Sequence, residues 1–423
     1  MIKFLFKGLM RDKSRSLLPI IIVAVGVMIT VFLQAYMNGI FTDSIESGAK
    51  FTSGHVKVVT SAYKENLSQM PNDYAMTDID VVLAELKTTY PNMEWTDRIL
   101  FGGLLDAPDS LGMTRAQGNV GGAGIHLIGN DEEIIRMDLK TKLISGRFPE
   151  QSGEILLTND LFKKMNLKLG DKVTLISSTM YGDMAIYNFT VCGTLHFGVS
   201  VLDRGMIYAD IEDVRLALNM ENAAGEILGF FKNAPYDNQL AKSVAAEFNK
   251  NKSDESNQFS YAMIPMSEIG GMDFMIVYAE NAQFIIILIF VFAMSIVLWN
   301  AGLLGGLRRY GEFGLRLAIG ENKNETYWSL VGEAVLVGLV GSVIGIAFGL
   351  LFSWLMQEYG IDAGDMIKDS TIIMPTVFRA QINTTTFFIG FIPGVLSTVI
   401  GAMLAGIGIY KRQTANLFKE LQA

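Results

Sequence analysis

Four apolar runs, each long enough to cross a bilayer, limit this chain more than any other feature. They are Leu17 to Tyr36, Ala282 to Leu304, Trp328 to Met356 and Phe387 to Ile409. About twenty apolar residues in helical form span the hydrocarbon core, where every backbone polar group must be satisfied within the segment. Each run therefore predicts a membrane-spanning helix. Roughly 240 residues of mixed composition separate the first run from the other three. The predicted fold class is an α-helical membrane protein of four spans with a large α+β domain inserted between the first and second. The expected divisions are 1–39 (interfacial helix and first span), 40–281 (outer domain and stalk), 282–412 (remaining spans) and 413–423 (tail).

Charge assigns the sides. Residues 1–15, 305–327 and 411–423 hold 12 Lys/Arg and 5 Asp/Glu, a sum of +7 that leaves −16 for the rest of a chain of net charge −9. Basic residues collect on the cytoplasmic side of membrane proteins. Both termini and the 305–327 loop are thus expected in the cytoplasm, and the insert outside. At the start, Lys3, Lys7 and Arg11 recur every four residues opposite Ile2, Leu5, Phe6, Leu9 and Met10, the pattern of a helix lying in the interface. A cleaved leader is the competing reading, but the following run is long and lacks a small-x-small site.

The loop between the second and third runs is the densest in information. In LRRYGEFGLRLAIGENKNE (Leu307 to Glu325), Arg309 and Glu312 are three apart and Glu312 and Arg316 four apart, so both pairs can meet on a helix. Phe313, Leu317 and Gly320 fall on another side. The expectation is a short helix at the membrane surface whose apolar side chains need a partner, either a cytoplasmic motor protein or, more plainly, nothing beyond the positive-inside rule.

Within the spans, Gly341, Gly345 and Gly349 recur every fourth residue, with Gly338 close by, which lets another helix approach closely. Glu333 lies about one and a half turns inside the third run. An intramembrane carboxylate is a functional candidate by default, although here it sits near the cytoplasmic edge, within reach of Arg308 or Arg309.

The insert is expected to hold strands at Gly54–Tyr63 and Gly124–Asp131, and a helix at Asp78–Tyr90 with Ile79, Val82, Leu83 and Leu86 on one face. Gly153–Ser177 predicts strand, helix, turn, strand. NFTVCGTLHF and GMIYAD look like paired strands. The glycine cluster GNVGGAG (Gly118–Gly124) lacks the Lys-Ser/Thr ending of a phosphate loop and is expected to be a flexible turn. Met263, Met266, Met272 and Met275 lead into the second span on a predicted stalk helix, where they would offer a soft surface for acyl chains or pack against a second stalk.

Several classes are excluded. One cysteine, Cys192, forbids an intrachain disulfide framework and a cysteine-based zinc cluster. His55, His126 and His196 show no ligand spacing, and no metal is expected. The acidic balance argues against nucleic acid. No GxxxxGK[ST] phosphate loop and no nucleophile–base arrangement is apparent. The chain is expected to be non-catalytic, with any ATP and magnesium bound by a separate ATPase chain.

With those residues in view, the chain resembles ABC transporter permeases of the FtsX/MacB/LolC-LolE superfamily over its whole length. RRYGEFGLRLAIG (Arg308–Gly320) is similar to the superfamily's coupling-helix signature, which implies ATPase coupling through Arg308, Arg309, Glu312, Phe313, Gly314, Arg316 and Gly320. Asn300 and Glu333 also stand where family members often carry those residues, and Gly146–Leu175 resembles an element of the periplasmic domain. MNGIFTDSIESGAKFTSGHVKV (Met37–Val58) is similar to the junction in lipoprotein-releasing permeases, whereas EFGLRLAIG is closer to the MacB version. The resemblance implies a bacterial inner-membrane protein with two ATPase copies and a second permease, identical or paralogous. It also implies a lipoprotein substrate and a periplasmic chaperone or adaptor.

Overall fold

The computed structural model describes residues 13–109, 111–198, 200–232, 234–254, 257–270, 272–363 and 377–411. The basic lead-in before Lys13 and the tail beyond Lys411 lie outside the described residues. Four long helices carry the apolar runs: α1 (Lys13–Gly48), α2 (Met272–Ala318), α3 (Lys323–Tyr359) and α4 (Phe391–Lys411). Among the described residues, Leu17–Ser53, Lys323–Tyr359 and Thr384–Ile407 are long and apolar enough to cross a membrane, and α2 contains a shorter apolar stretch, Phe284–Asn300. The chain divides into two compact units, with boundaries at Phe41/Thr42, Ile276/Val277, Ile361/Asp362 and Val377/Phe378.

The helical unit is built on close approach. A Cβ added at Gly341 would stand 2.7 Å from Val23 Cβ, at Gly345 2.5 Å from the Ala24 carbonyl oxygen, and at Gly349 2.8 Å from Val31 Cβ. The partner of the glycine stripe is therefore α1, along Val23, Val27 and Val31, which form a buried cluster with Met294, Leu298, Ile346 and Ile389. A second seam joins α3 to α4, where a Cβ at Gly338 would meet Thr398 Oγ1 at 2.5 Å.

Among the described residues, the sheet unit has twelve strands between Thr42 and Ile276. The first six are β1 (Val56–Thr60), β2 (Met76–Thr77), β3 (Met93–Pro108), β4 (Thr114–Ile125), β5 (Leu143–Gly146) and β6 (Glu154–Thr158). The others are β7 (Lys172–Ser178), β8 (Met184–Leu195), β9 (Met206–Asp210), β10 (Ala223–Ala224), β11 (Glu226–Phe231) and β12 (Tyr261–Pro265). Strands β12, β1, β11 and β3 lie side by side, all antiparallel. Helix Ile79–Thr89 intervenes between β1 and β3, and helix Asn238–Lys252 between β11 and β12. This is a split βαβ arrangement. Ile79, Val82 and Leu86 from one helix and Ala241, Ala245 and Phe248 from the other share a core with Val56, Val58 and Trp95.

Strand β3 belongs to two structures. Met93–Arg98 pairs with β11, while Ile99–Pro108 pairs with β4. From there the order β3–β4–β9–β6–β8–β7 returns to β3, closing a six-stranded barrel. Closure removes exposed strand edges. Residues two apart on five of the strands fill it, with Val120 from β4: Leu105 and Ala107, Ile155 and Leu157, Val173 and Leu175, Phe189 and Val191, Ile207 and Ala209.

Five expectations for the insert change. The strand expected over Gly124–Asp131 is only the end of β4, which stops at Ile125. Gly118–Gly124 is not a flexible turn but part of β4. Gly122 lies directly opposite Phe101, whose ring occupies the space a Cβ would take, and a Cβ at Gly124 would stand 2.9 Å from Val214. The glycines make room for larger neighbours. Strands β8 and β9 do not pair; β6 lies between them. The strand after Gly54 stops at Thr60, whose hydroxyl caps a helical turn by accepting from Tyr63 N–H at 3.2 Å. The methionine stretch is no single stalk helix. Met263 is buried in β12 and Met266 in the turn after it, and only at Met272 does α2 begin. Met266 packs with Ala49, Leu228 and Phe230, and Met272 against that cluster. The side chain of Met275 lies outside the described residues. Burial of Met263 and Met266 removes them as an acyl-chain surface.

Candidate coupling site

The charged loop is not a separate short helix. Backbone helix runs unbroken from Met272 to Ala318, so Leu307–Ala318 is the last three turns of α2. Leu, Ala and Arg favour continuation of the helix, and the stop comes at Gly320. This residue adopts φ +103, a region costly for residues with a Cβ. Glu321 N–H then bonds the Arg316 carbonyl at 3.1 Å, and Ile319 N–H bonds the Leu315 carbonyl at 3.0 Å. The first is the six-to-one bond of a Schellman-type ending, the second the last i to i−4 bond of the helix, and both satisfy terminal carbonyls. Asn322 caps α3, receiving Thr326 N–H on its carbonyl at 3.1 Å. Two long helices are thus joined by a four-residue hairpin.

Gly320 consequently acts as the stop rather than as a member of the apolar face with Phe313 and Leu317. The backbone at Arg308, Arg309, Glu312, Phe313 and Gly314 is helical. Their side chains, and with them the expected ion pairs, lie outside the described residues. Arg316 is half-buried. Leu315 and Ile319, four apart, are 58% and 77% exposed, and Trp328 early in α3 is 58% exposed. Among the described side chains these three are the exposed large apolar ones beside the turn, and the charge pattern gave no hint of them. Their signal was hydrophobicity at i and i+4 in a segment too polar to enter the bilayer. Glu333 is half-buried within α3, and Asn300 is exposed on α2.

Sequence reasoning also missed polar contacts inside the helical unit. Gln34, buried in α1, accepts from the Thr386 hydroxyl at 3.0 Å, just before α4. In hydrocarbon such bonds hold helices together because water cannot replace them.

Several buried charged groups of the sheet unit pair with one another. Arg98, 1% exposed, donates to Glu133 at 2.6 and 2.9 Å. Glu133 also pairs with Arg136, which reaches Glu94 at 3.0 Å and lies 4.5 Å over the Phe230 ring. Lys57 pairs with Glu226. Asp97 binds Arg215 at 2.7 Å and His126 at 2.8 Å. Burial alone would raise the Asp97 pKa, but the His126 hydrogen bond and the nearby positive charges outweigh it and hold the carboxyl below its usual range. His126 is raised in turn, chiefly by that hydrogen bond. His55 is lowered to about 4 by burial, and its Nδ1 accepts from Phe231 N–H at 3.0 Å. Burial pushes the Cys192 thiol up to about 12. Among the described residues no group of three or more His, Cys, Asp or Glu could hold a metal ion. These charges stabilise a fold; none is arranged as nucleophile and base.

Residues 284–414 match the family FtsX, described as FtsX-like permease C-terminal. Among solved structures, the periplasmic region of MacB from Actinobacillus actinomycetemcomitans is similar at 12% identity and TM-score 0.34. The likeness covers 51% of this chain and 91% of that one. Among curated proteins none matches. The family match spans the charged end of α2, the turn at Gly320, the glycine-seamed α3 and α4. Over residues 284–414, about a third of its length, the chain is thus similar to the C-terminal domain of FtsX-like permeases.

Proposed function

We propose that this chain is the permease subunit of an ATP-driven ABC complex in a bacterial inner membrane, with both termini cytoplasmic and the sheet unit periplasmic. In this reading all four long helices cross the bilayer. The observation that carries it is the end of α2, where exposed Leu315 and Ile319 stand beside Arg316 at a turn fixed by Gly320, inside the segment that matches the FtsX-like family. Apolar side chains in a charged setting suit a protein groove. Two ATPase chains, binding ATP and magnesium, would each dock one such tip of a permease pair. Motion delivered there would pass along α2, whose helix is continuous for 47 residues, since long-range coupling needs rigid elements with discrete arrangements.

The cargo we favour is a lipoprotein, released for transfer to a periplasmic carrier. Its support is the Met37–Val58 junction. Reconstitution with the partner ATPase and a lipoprotein tests this: ATP should raise release above the level without nucleotide, and no rise removes the cargo. Glu312→Lys, Gly314→Trp and Leu315→Asp should each return permease-stimulated ATPase activity to that of the ATPase alone. Unchanged stimulation in all three would remove the docking role. EFGLRLAIG favours a second reading, efflux of a small molecule or peptide to an adaptor, and a stable complex with an adaptor but no lipoprotein affinity would select it. Signalling to a cell-wall hydrolase, as by FtsX, would show as hydrolase activation without cargo release.

A further inference from the structure

Beside the glycine seam, α1 and α3 part to leave a groove of about 520 Å³. Met28, Ile29 and Phe32 of α1 and Phe352, Leu355 and Met356 of α3 line it. The volume falls within the range of about 300–1,000 Å³ usual for small-ligand sites. Ile29, Phe352 and Leu355 are 41%, 46% and 37% exposed, so the groove opens sideways from the helix pair. It continues to Tyr359 and Ile361 at the end of α3. There Arg379 donates from Nη1 to the carbonyls of Gln357 and Glu358 at 3.0 and 2.8 Å. Neighbouring Phe378 and Ala380 pack in one cluster with Phe32 and Met356, which also line the groove. Those bonds hold an exposed guanidinium at the groove's end, where a helix C-terminus favours positive charge. Tyr359, 76% exposed, has the amphipathic character of residues at the headgroup level.

We infer that this groove binds one phospholipid of the surrounding bilayer, an acyl chain lying between α1 and α3 and its phosphate on Arg379. The inference rests on the reading that both helices cross the membrane. An apolar slot facing sideways from two spanning helices is filled by chains from the lipid, and a guanidinium carries five N–H donors in a fork suited to phosphate oxygens. The site lies on the opposite end of α3 from the Gly320 turn and takes no part in ATPase docking.

The test is native mass spectrometry of the full-length protein in detergent with added phosphatidylglycerol or phosphatidylethanolamine. Wild type should keep one phospholipid per chain through detergent exchange. Leu355→Trp, which fills the groove, should lose it, and Ile29→Trp repeats the test from α1 should the first variant unfold. Arg379→Gln should weaken retention about tenfold, the size of a charge-assisted bond, for both headgroups alike. Leu404→Trp, on an exposed face of α4, should retain lipid as wild type does. Equal retention by both groove-filling variants, or absence of any retained lipid in wild type, overturns the site. Displacement of the phospholipid by an equimolar triacylated peptide also overturns it, making the groove a cargo site instead.

Discussion

In the helical unit close contacts set glycine against a neighbouring helix, as at Gly345 and the Ala24 carbonyl. In the sheet unit the deepest contacts bring charge against charge, as at Arg98 and Glu133. Each follows from its solvent. Between helices in lipid the hydrophobic effect offers nothing, so contact depends on how closely backbones approach and on rare polar bonds such as Gln34 to Thr386. In the sheet unit apolar burial builds the barrel and the βαβ core. A few ion pairs can then be buried, provided every member is hydrogen-bonded. The two units should therefore fail in different ways.

The largest effect should come from the ion-pair network. Arg98→Met leaves Glu133 with Arg136 alone and should cost about 3–5 kcal/mol, read by urea unfolding through the emission of buried Trp95. Arg98→Met with Glu133→Leu should regain part of the loss. A single variant as stable as wild type would show that charge is dispensable there. Next, Gly345→Leu should lower the stability of the helical unit by about 1–3 kcal/mol, seen as a lower thermal midpoint in detergent. Val343→Leu, on an exposed face, should not. If the two behave alike, close approach is not what holds α1 to α3.

Gly122→Ala brings the seam logic into the sheet unit and should cost about 1 kcal/mol through its clash with the Phe101 ring. Phe101→Leu in the same chain should recover it, whereas additive losses would mean that Gly122 serves another purpose. The last comparison is with pH. His55, lowered to about 4 from 6.5, is neutral in the fold, while the unfolded chain takes up a proton between those values. Its contribution is complete above pH 6.5 and lost as pH falls toward 4, by at most about 1.4 kcal/mol per pH unit. His126 is raised, so its contribution is present below 6.5 and lost as pH rises through its folded value. Acid titration of stability should flatten in His55→Gln and steepen in His126→Gln; identical profiles would remove both assignments.

Local order is what the amino-acid sequence determined by itself. Apolar length marks α1, α3, α4 and the apolar stretch of α2 as helices, since a long apolar helix satisfies its own backbone hydrogen bonds. Helix Ile79–Thr89 and the succession of β6, a short helix and β7 over Glu154–Ser178 follow from periodicity and a glycine turn. The spacing of Gly341, Gly345 and Gly349 marks a seam, though not that its partner is α1. Tertiary structure decided whatever depends on residues far along the chain. GNVGGAG looks like a turn until Phe101 lies across Gly122. Met263 and Met266 look like a surface until β12 pairs with β1, some 200 residues earlier. The barrel closes only when β7 meets β3. In the charged loop, Gly320 was legible as a residue and not as a role. A glycine can sit on a helix face or end the helix, and only the left-handed backbone with its Glu321–Arg316 bond shows which of the two it does here.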